Sequence, residues 1–157
     1  MTELKTIRAA TDDDIEAIVP LMLAYCDFYE VEHPDEAGLT EMAKTLIDSP
    51  DDKGFLLVAA EDSKPPVGFA ACGWKWSSLR GARCVVLEDL YVDPASRGEG
   101  IADRLIGEAA GIARRNGAVA MLWETQPTNK RAQAVYNRVG GKPETLIEYE
   151  LVLGGGE

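Results

Sequence analysis

The 157-residue chain has one histidine, His33, and three cysteines, Cys26, Cys72 and Cys84. A single imidazole argues against a histidine-built metal centre and against a histidine-based nucleophilic triad, so no metal is expected. Three thiols with no Cys-x-x-Cys pair fit reduced side chains, not a disulfide scaffold or a zinc site. Bases are also in short supply. Sixteen Lys and Arg stand against 27 Asp and Glu, a net charge of −11, and a protein that grips a phosphate backbone needs the opposite balance. Nucleic acid is therefore not an expected partner. The longest apolar runs, such as Phe55 to Ala60, are far too short to cross a bilayer, which speaks against a membrane partner. The opening Met1-Thr2-Glu3-Leu4-Lys5 is charged and lacks the pattern of a secretory signal, so the cytoplasm is the expected compartment.

What is present reads as one α/β domain over residues 1–153, followed by a flexible tail at 154–157, Gly154-Gly155-Gly156-Glu157. Residues 4–9 predict a strand. Thr11 to Asp14 offer capping oxygens to a helix whose Ile15, Ile18, Val19, Met22 and Leu23 recur at helical spacing. A second short helix is expected after Gly38, with Leu39, Met42, Ala43 and Leu46 on its apolar face. Phe55 to Ala60 reads as a buried strand, Val67 to Trp76 as its hairpin partner, and Arg83 to Val92 as the next strand. A helix then runs to about Arg115 and stops at Asn116-Gly117. Ala118 to Glu124 predicts a central strand. Thr128 is expected to cap a last helix carrying Ala132, Val135 and Val139, closed by Gly140 or Gly141, and residues 142–153 to supply one or two final strands.

Chemistry concentrates where the Arg83–Val92 strand ends. Asp93-Pro94 breaks the strand, and Ile101, Ala102, Leu105, Ile106, Ala109, Ile112 and Ala113 then recur as one helical face. Gly98 and Gly100 fall at the join, ahead of the unpaired N–H groups and positive dipole end of that helix. Glycine lets an anion approach such N–H groups, so this is a phosphate site, although any α/β domain can start a helix with glycines. It is not a P-loop, because no Lys-Ser/Thr pair follows, and it is not the dinucleotide fingerprint, because Asp103 stands where the third glycine belongs.

The segment Arg97-Gly98-Glu99-Gly100-Ile101-Ala102 resembles the coenzyme A pyrophosphate loop of the GNAT superfamily of acyl-CoA-dependent N-acetyltransferases. A second signature of that superfamily, an asparagine followed seven residues later by a tyrosine, is present as Asn129 and Tyr136. The element order extends the resemblance over roughly the whole domain. It implies a mixed central sheet of six to seven strands flanked by about four helices, acetyl-CoA as co-substrate and a homodimer.

The resemblance also implies roles. Arg97, Gly98, Glu99, Gly100, Ile101 and Ala102 would hold the pyrophosphate, and Asn129 would contact the cofactor. The backbone of Leu90, Tyr91 and Val92 would bond the pantetheine arm, and Tyr136 would protonate the departing thiolate. Leu87-Glu88-Asp89-Leu90-Tyr91-Val92 resembles a segment of spermidine/spermine acetyltransferases whose glutamate is a proposed base, which gives that role to Glu88. On a regular strand Asp89 would point to the opposite face from Glu88, as a structural or substrate-facing group, unless a bulge exchanges the two. Trp74, Trp76 and Trp123 are candidates for an acceptor pocket or for core positions.

Asp27, Glu30, Glu32, Asp35, Glu36 and Glu41, interleaved with Tyr25, Phe28 and Tyr29, form an acidic segment after the first helix. Together with Glu88 and Asp89, and with Tyr29 as a substrate contact, it suits a polyamine, diamine or basic amino acid as acceptor. Aminoglycosides and protein lysines are alternative acceptors. A catalytically silent acyl-CoA-binding module and a domain binding another nucleotide are the alternatives of a different class.

Overall fold

The computed structural model describes residues 5–154. In chain order these form β1 (Thr6–Ala9), α1 (Ile15–Phe28), α2 (Glu36–Asp48), β2 (Gly54–Ala60), β3 (Gly68–Ser77), β4 (Ala82–Val92), α3 (Ile101–Arg115), β5 (Met121–Leu122) and α4 (Lys130–Arg138). Short 3-10 turns at Asp12–Asp14 and Pro94–Ser96 lead toward α1 and α3. The strands lie in one sheet in sequence order, antiparallel from β1 to β4, with β5 parallel to β4.

Strand alternation gives this sheet two apolar faces. Leu57, Ala59, Ala70, Cys72, Val85 and Leu87 pack beneath Ile101, Leu105, Ile106, Ala109 and Ala113 of α3, with Val135, Tyr136 and Val139 of α4 against the same cluster. Leu56, Val58, Phe69 and Ala71 face the other way, onto Ile18, Met22 and Ala43 of α1 and α2. β2 is buried along its whole length, as its unbroken apolar run requires.

Most elements lie where the sequence predicts them, and four expectations need correction. The described sheet has five strands, not six or seven. β5 is not a full central strand over 118–124. It pairs for two residues, Met121 and Leu122, because β4 and the chain after Leu122 separate there. Residues 142–153 form no strand, and Leu146, Ile147, Tyr149, Leu151, Val152 and Leu153 are 68–90% exposed. The second helix begins before Gly38, at Glu36, because the Asp35 carboxylate accepts from the Ala37 N–H and caps it. Of the tail expected at 154–157, residues 155–157 lie outside the described residues.

The entry to α1 is fixed by charge. Asp14, buried, accepts from both terminal nitrogens of Arg8 at 2.7 and 2.9 Å and from the Thr11 N–H at 2.8 Å. The Arg8 guanidinium is the main cause that holds the Asp14 carboxyl below its ordinary range. Its folded pKa is depressed, so its stabilising contribution is complete above the unfolded value of about 4 and is lost as pH falls through the folded one. Asp14→Asn should lower stability by about 1–2 kcal/mol at neutral pH and flatten the acid limb of a denaturation series. Leu105, fully buried under the sheet, should cost about 3–5 kcal/mol on truncation to alanine, read by urea unfolding.

Candidate active site where two parallel strands part

β4 keeps its full pairing to β3 on one edge, but its other edge is bonded to β5 only at Val85 and Val86. From Leu87 to Val92 that second edge has no strand beside it among the described residues. Backbone groups cannot stay unpaired in a dry interior, so the gap is where water or a ligand must bond them. A cleft of about 530 Å³ fills it, lined by Leu90, Tyr91 and Val92, by Arg97, Gly98 and Gly100 to Asp103 of the loop and first turn, by Asn129 and Tyr136 from the α4 side, and by Tyr25, Phe28 and Tyr29 of α1 and its end.

The loop below the cleft is held open by backbone conformation. Gly98 and Gly100 have φ of +85° and +77°, a region costly to any residue with a Cβ, and an added Cβ at either would meet nothing within 4 Å. They serve backbone sign, and the space in front of them is open. The Gly100 carbonyl accepts from Arg104, so the α3 ladder starts there and the N–H groups ahead of it have no carbonyl one turn back. Arg97 does not reach outward. Its Nε donates to the Val92 carbonyl at 2.8 Å, and its guanidinium lies 5.4 Å from the Tyr91 ring and 5.7 Å from the Phe28 ring, so it fastens the loop to the end of β4. The Glu99 side chain turns away to Lys5 at 3.0 Å, leaving Glu99 its backbone N–H to offer.

On the far wall, Asn129 and not Thr128 caps α4, its Oδ1 accepting from the Ala132 N–H at 3.1 Å. Tyr136 packs edge-on against Trp123 at 5.5 Å, and Trp123 in turn presses on Gly141. Burial pushes the Tyr136 phenol above its ordinary range, with Tyr29 adding to the rise. Arg138 and Asp103 close the two walls together through a two-pronged ion pair of 2.8 and 2.9 Å.

A bulge in β4 arranges the carboxylates. Ala71 pairs with Asp89 but the next residue, Cys72, pairs with Leu87, so Glu88 is the extra residue. The alternation expected of a regular strand, with Asp89 facing away from Glu88, does not hold here. Asp89 lies opposite Ala71, on the α1/α2 face, where the Tyr25 hydroxyl bonds it. The Glu88 carboxylate lies over Gly73, the next position on that same face, at 3.5 Å from where a Cβ would be. Glu88 also lines a second cleft of about 460 Å³, with Glu41, Met42, Thr45 and Leu46 of α2. Burial is the main cause that raises the Asp89 carboxyl above its ordinary range, with Glu88 adding to it and Tyr25 opposing. Burial, with the Glu88 and Asp89 charges adding to it, pushes the Cys72 thiol up to about 12.

None of the three tryptophans lines either cleft. Trp74 donates to the Pro50 carbonyl and stacks under Arg83, Trp76 is exposed, and Trp123 backs Tyr136. Tyr25 and the Asp103–Arg138 pair were not legible as site residues. Tyr25 is one of several aromatics on an amphipathic helix, and the ion pair joins positions with no shared motif.

Residues 19–141 match the Acetyltransferase (GNAT) family. The chain belongs to this family. Among its relatives is the N-acetyltransferase YhfO of Bacillus subtilis, 30% identical over 92% of this chain and 95% of that one. The thialysine N-epsilon-acetyltransferase of Bos taurus is 26% identical over 90% of this chain and 86% of its own. The solved structure of aminoglycoside N-acetyltransferase AAC(6')-Iy in complex with CoA superposes with a TM-score of 0.81, covering 96% of this chain and 97% of that one at 24% identity. The GNAT fold and N-acetyltransferase activity are thus those of this protein.

Two outcomes follow from the site geometry. Asp89 has a raised folded pKa, so its ionised form works against folding above its unfolded value, and that penalty is relieved as pH falls. Asp89→Asn should raise the thermal midpoint near pH 8 and have little effect near pH 4, measured by differential scanning fluorimetry. Gly100→Ala should cost about 1–2 kcal/mol through its positive φ, and Gly100→Asn less, read as urea midpoints.

Proposed function

We propose that this GNAT enzyme transfers the acetyl group of acetyl-CoA directly to a primary amine of a small cationic acceptor, a polyamine, diamine or basic amino acid, within a ternary complex. The observation that carries the reading is the β4 bulge, which turns Glu88 and Asp89 to one face immediately before the unpaired Leu90–Val92 edge. An amine held by those carboxylates is thereby brought beside an acyl donor laid along that edge. Relatives named for thialysine N-epsilon-acetylation support an amine acceptor of this kind.

The chain fits the coenzyme. Open space before two positive-φ glycines and free helix N–H groups suits a pyrophosphate, and an unpaired strand edge suits an arm carrying amides. When bound, acetyl-CoA supplies the acetyl group as an activated thioester. The loop from Arg97 to Ala102 takes the pyrophosphate through its backbone, with Arg97 bracing the loop, and Asn129 borders the cofactor from the α4 side. Leu90, Tyr91 and Val92 bond the arm, and one of their N–H groups polarises the thioester carbonyl. Glu88, open to the second cleft, accepts the proton of the amine as its nitrogen bonds the acetyl carbon. Asp89 holds positive charge beside it, and Tyr29, on the wall of the first cleft, contacts the acceptor. Tyr136, kept protonated by burial, gives its proton to sulfur as the C–S bond breaks.

The working form is a homodimer, supported by six large apolar side chains between Leu146 and Leu153 that a lone copy leaves in water. The three free thiols suit a reducing compartment such as the cytoplasm.

Tyr136→Phe should lower kcat about 100-fold and leave coenzyme A affinity intact by calorimetry, whereas a silent binding module would show no turnover to lose. An acetyl-CoA turnover panel should show spermidine, putrescine or lysine consumed ahead of neutral and acidic amines. Activity confined to neutral or acidic amines would overturn the cationic acceptor, and aminoglycosides in the same panel test that alternative. Sedimentation should give a dimer, and deletion of residues 142–157 a monomer.

A further inference from the structure

An acidic residue in the middle of an anion-binding loop is an electrostatic anomaly, and Glu99 is one, between Gly98 and Gly100. A bare carboxylate there would repel a pyrophosphate through a gap of few ångströms, where screening by salt is weak. The structure answers the anomaly from the other end of the chain. Lys5 stands two positions before Ile7, which packs on the α3 face of the sheet, and alternation turns Lys5 to that same face. Its ammonium, on a side chain only 9% exposed, meets Glu99 Oε1 at 3.0 Å and Glu61 Oε1 at 3.4 Å. Glu61 follows the last residue of β2 and also pairs with Lys64 at 2.7 Å, so the cluster ties the outer end of the sheet to the loop ahead of α3. A largely buried ammonium is retained only where carboxylates compensate it, and the Glu99 carboxylate is the larger of the two causes that hold this lysine charged.

We infer that Lys5 is a positioning residue for the coenzyme: from just before the first strand it neutralises Glu99 and anchors the loop in the form whose backbone N–H groups face the pyrophosphate. Glu99 thereby acts as the loop's tether, and Lys5 touches neither the coenzyme nor the amine. The inference rests on the assignment of the Arg97–Ala102 loop to the coenzyme pyrophosphate.

Calorimetric titration of the whole chain with coenzyme A, alongside steady-state kinetics, tests it. Lys5→Met should weaken coenzyme A binding on the order of tenfold and raise KM for acetyl-CoA by a similar factor, with KM for the amine unchanged. Lys5→Arg should restore most of the affinity. The decisive variant is the double substitution Lys5→Met with Glu99→Gln, which removes the orphaned carboxylate and should recover part of the lost affinity, the share due to the bare charge, while the share due to the tether stays lost, a partial reversal that general damage to the fold would not give. Wild-type protein that fails to bind coenzyme A would defeat the loop assignment itself. Wild-type binding with Lys5→Met equally tight, or with the double variant no better than the single, would overturn the role of Lys5 alone. Should Lys5→Met not fold, Glu99→Lys carries the test: it breaks the tether while adding positive charge, so tether loss predicts weaker coenzyme A binding and charge alone predicts tighter.

Discussion

The constraint on which this molecule depends is that backbone hydrogen-bonding groups must find partners. β4 satisfies one edge along its whole length through β3 and leaves the other unpaired after Val86, where β5 stops accompanying it. The unpaired edge is stable only because a cleft opens beside it, and everything around that cleft serves to keep the two halves of the sheet apart without letting them drift. Asp103 and Arg138 join α3 to α4 across the gap, while Arg97 pins the loop to the strand end.

The bulge at Glu88 is the second consequence of the same strand. A single extra residue reverses the alternation beyond it, so one side of the bulge supplies the unpaired edge and the other a pair of carboxylates on one face. Burial is the main cause that raises the Asp89 carboxyl, and the Glu88 charge adds to it, both unfavourable to the ionised form. Carboxyls perturbed by burial and by a like charge cluster at functional sites.

Much of the layout was legible. Periodicity found α1, α3, β2, β3 and β4 closely, because each buries one continuous apolar face and the spacing of that face is a local property. The two-glycine loop at the end of β4 was legible for a related reason. Two glycines between a proline-stopped strand and an amphipathic helix mark a join that needs backbone other residues avoid, and both adopt the positive φ that only glycine takes cheaply. The last strands were not legible. The alternating apolar residues of 146–153 have the composition of a strand, but a strand exists only by pairing, and no neighbour among the described residues supplies the ladder. The short β5 failed in the same way: Ala118 to Glu124 has strand composition throughout, yet β4 accompanies it for two residues.

The sequence by itself determined the two faces of the sheet, the helix limits set by Asn116 and the glycines, and the identity of the chemically capable side chains. These follow from spacing, capping and backbone freedom, all of which act within a few residues. Tertiary structure alone decided which of those side chains meet. The turn of Glu88 and Asp89 to one face, the closure of Lys5 on Glu99 and the clasp of Asp103 by Arg138 each join groups whose partnership depends on strand register or on the packing of distant segments. Register and long-range packing are set by the whole core at once, and no local pattern encodes them.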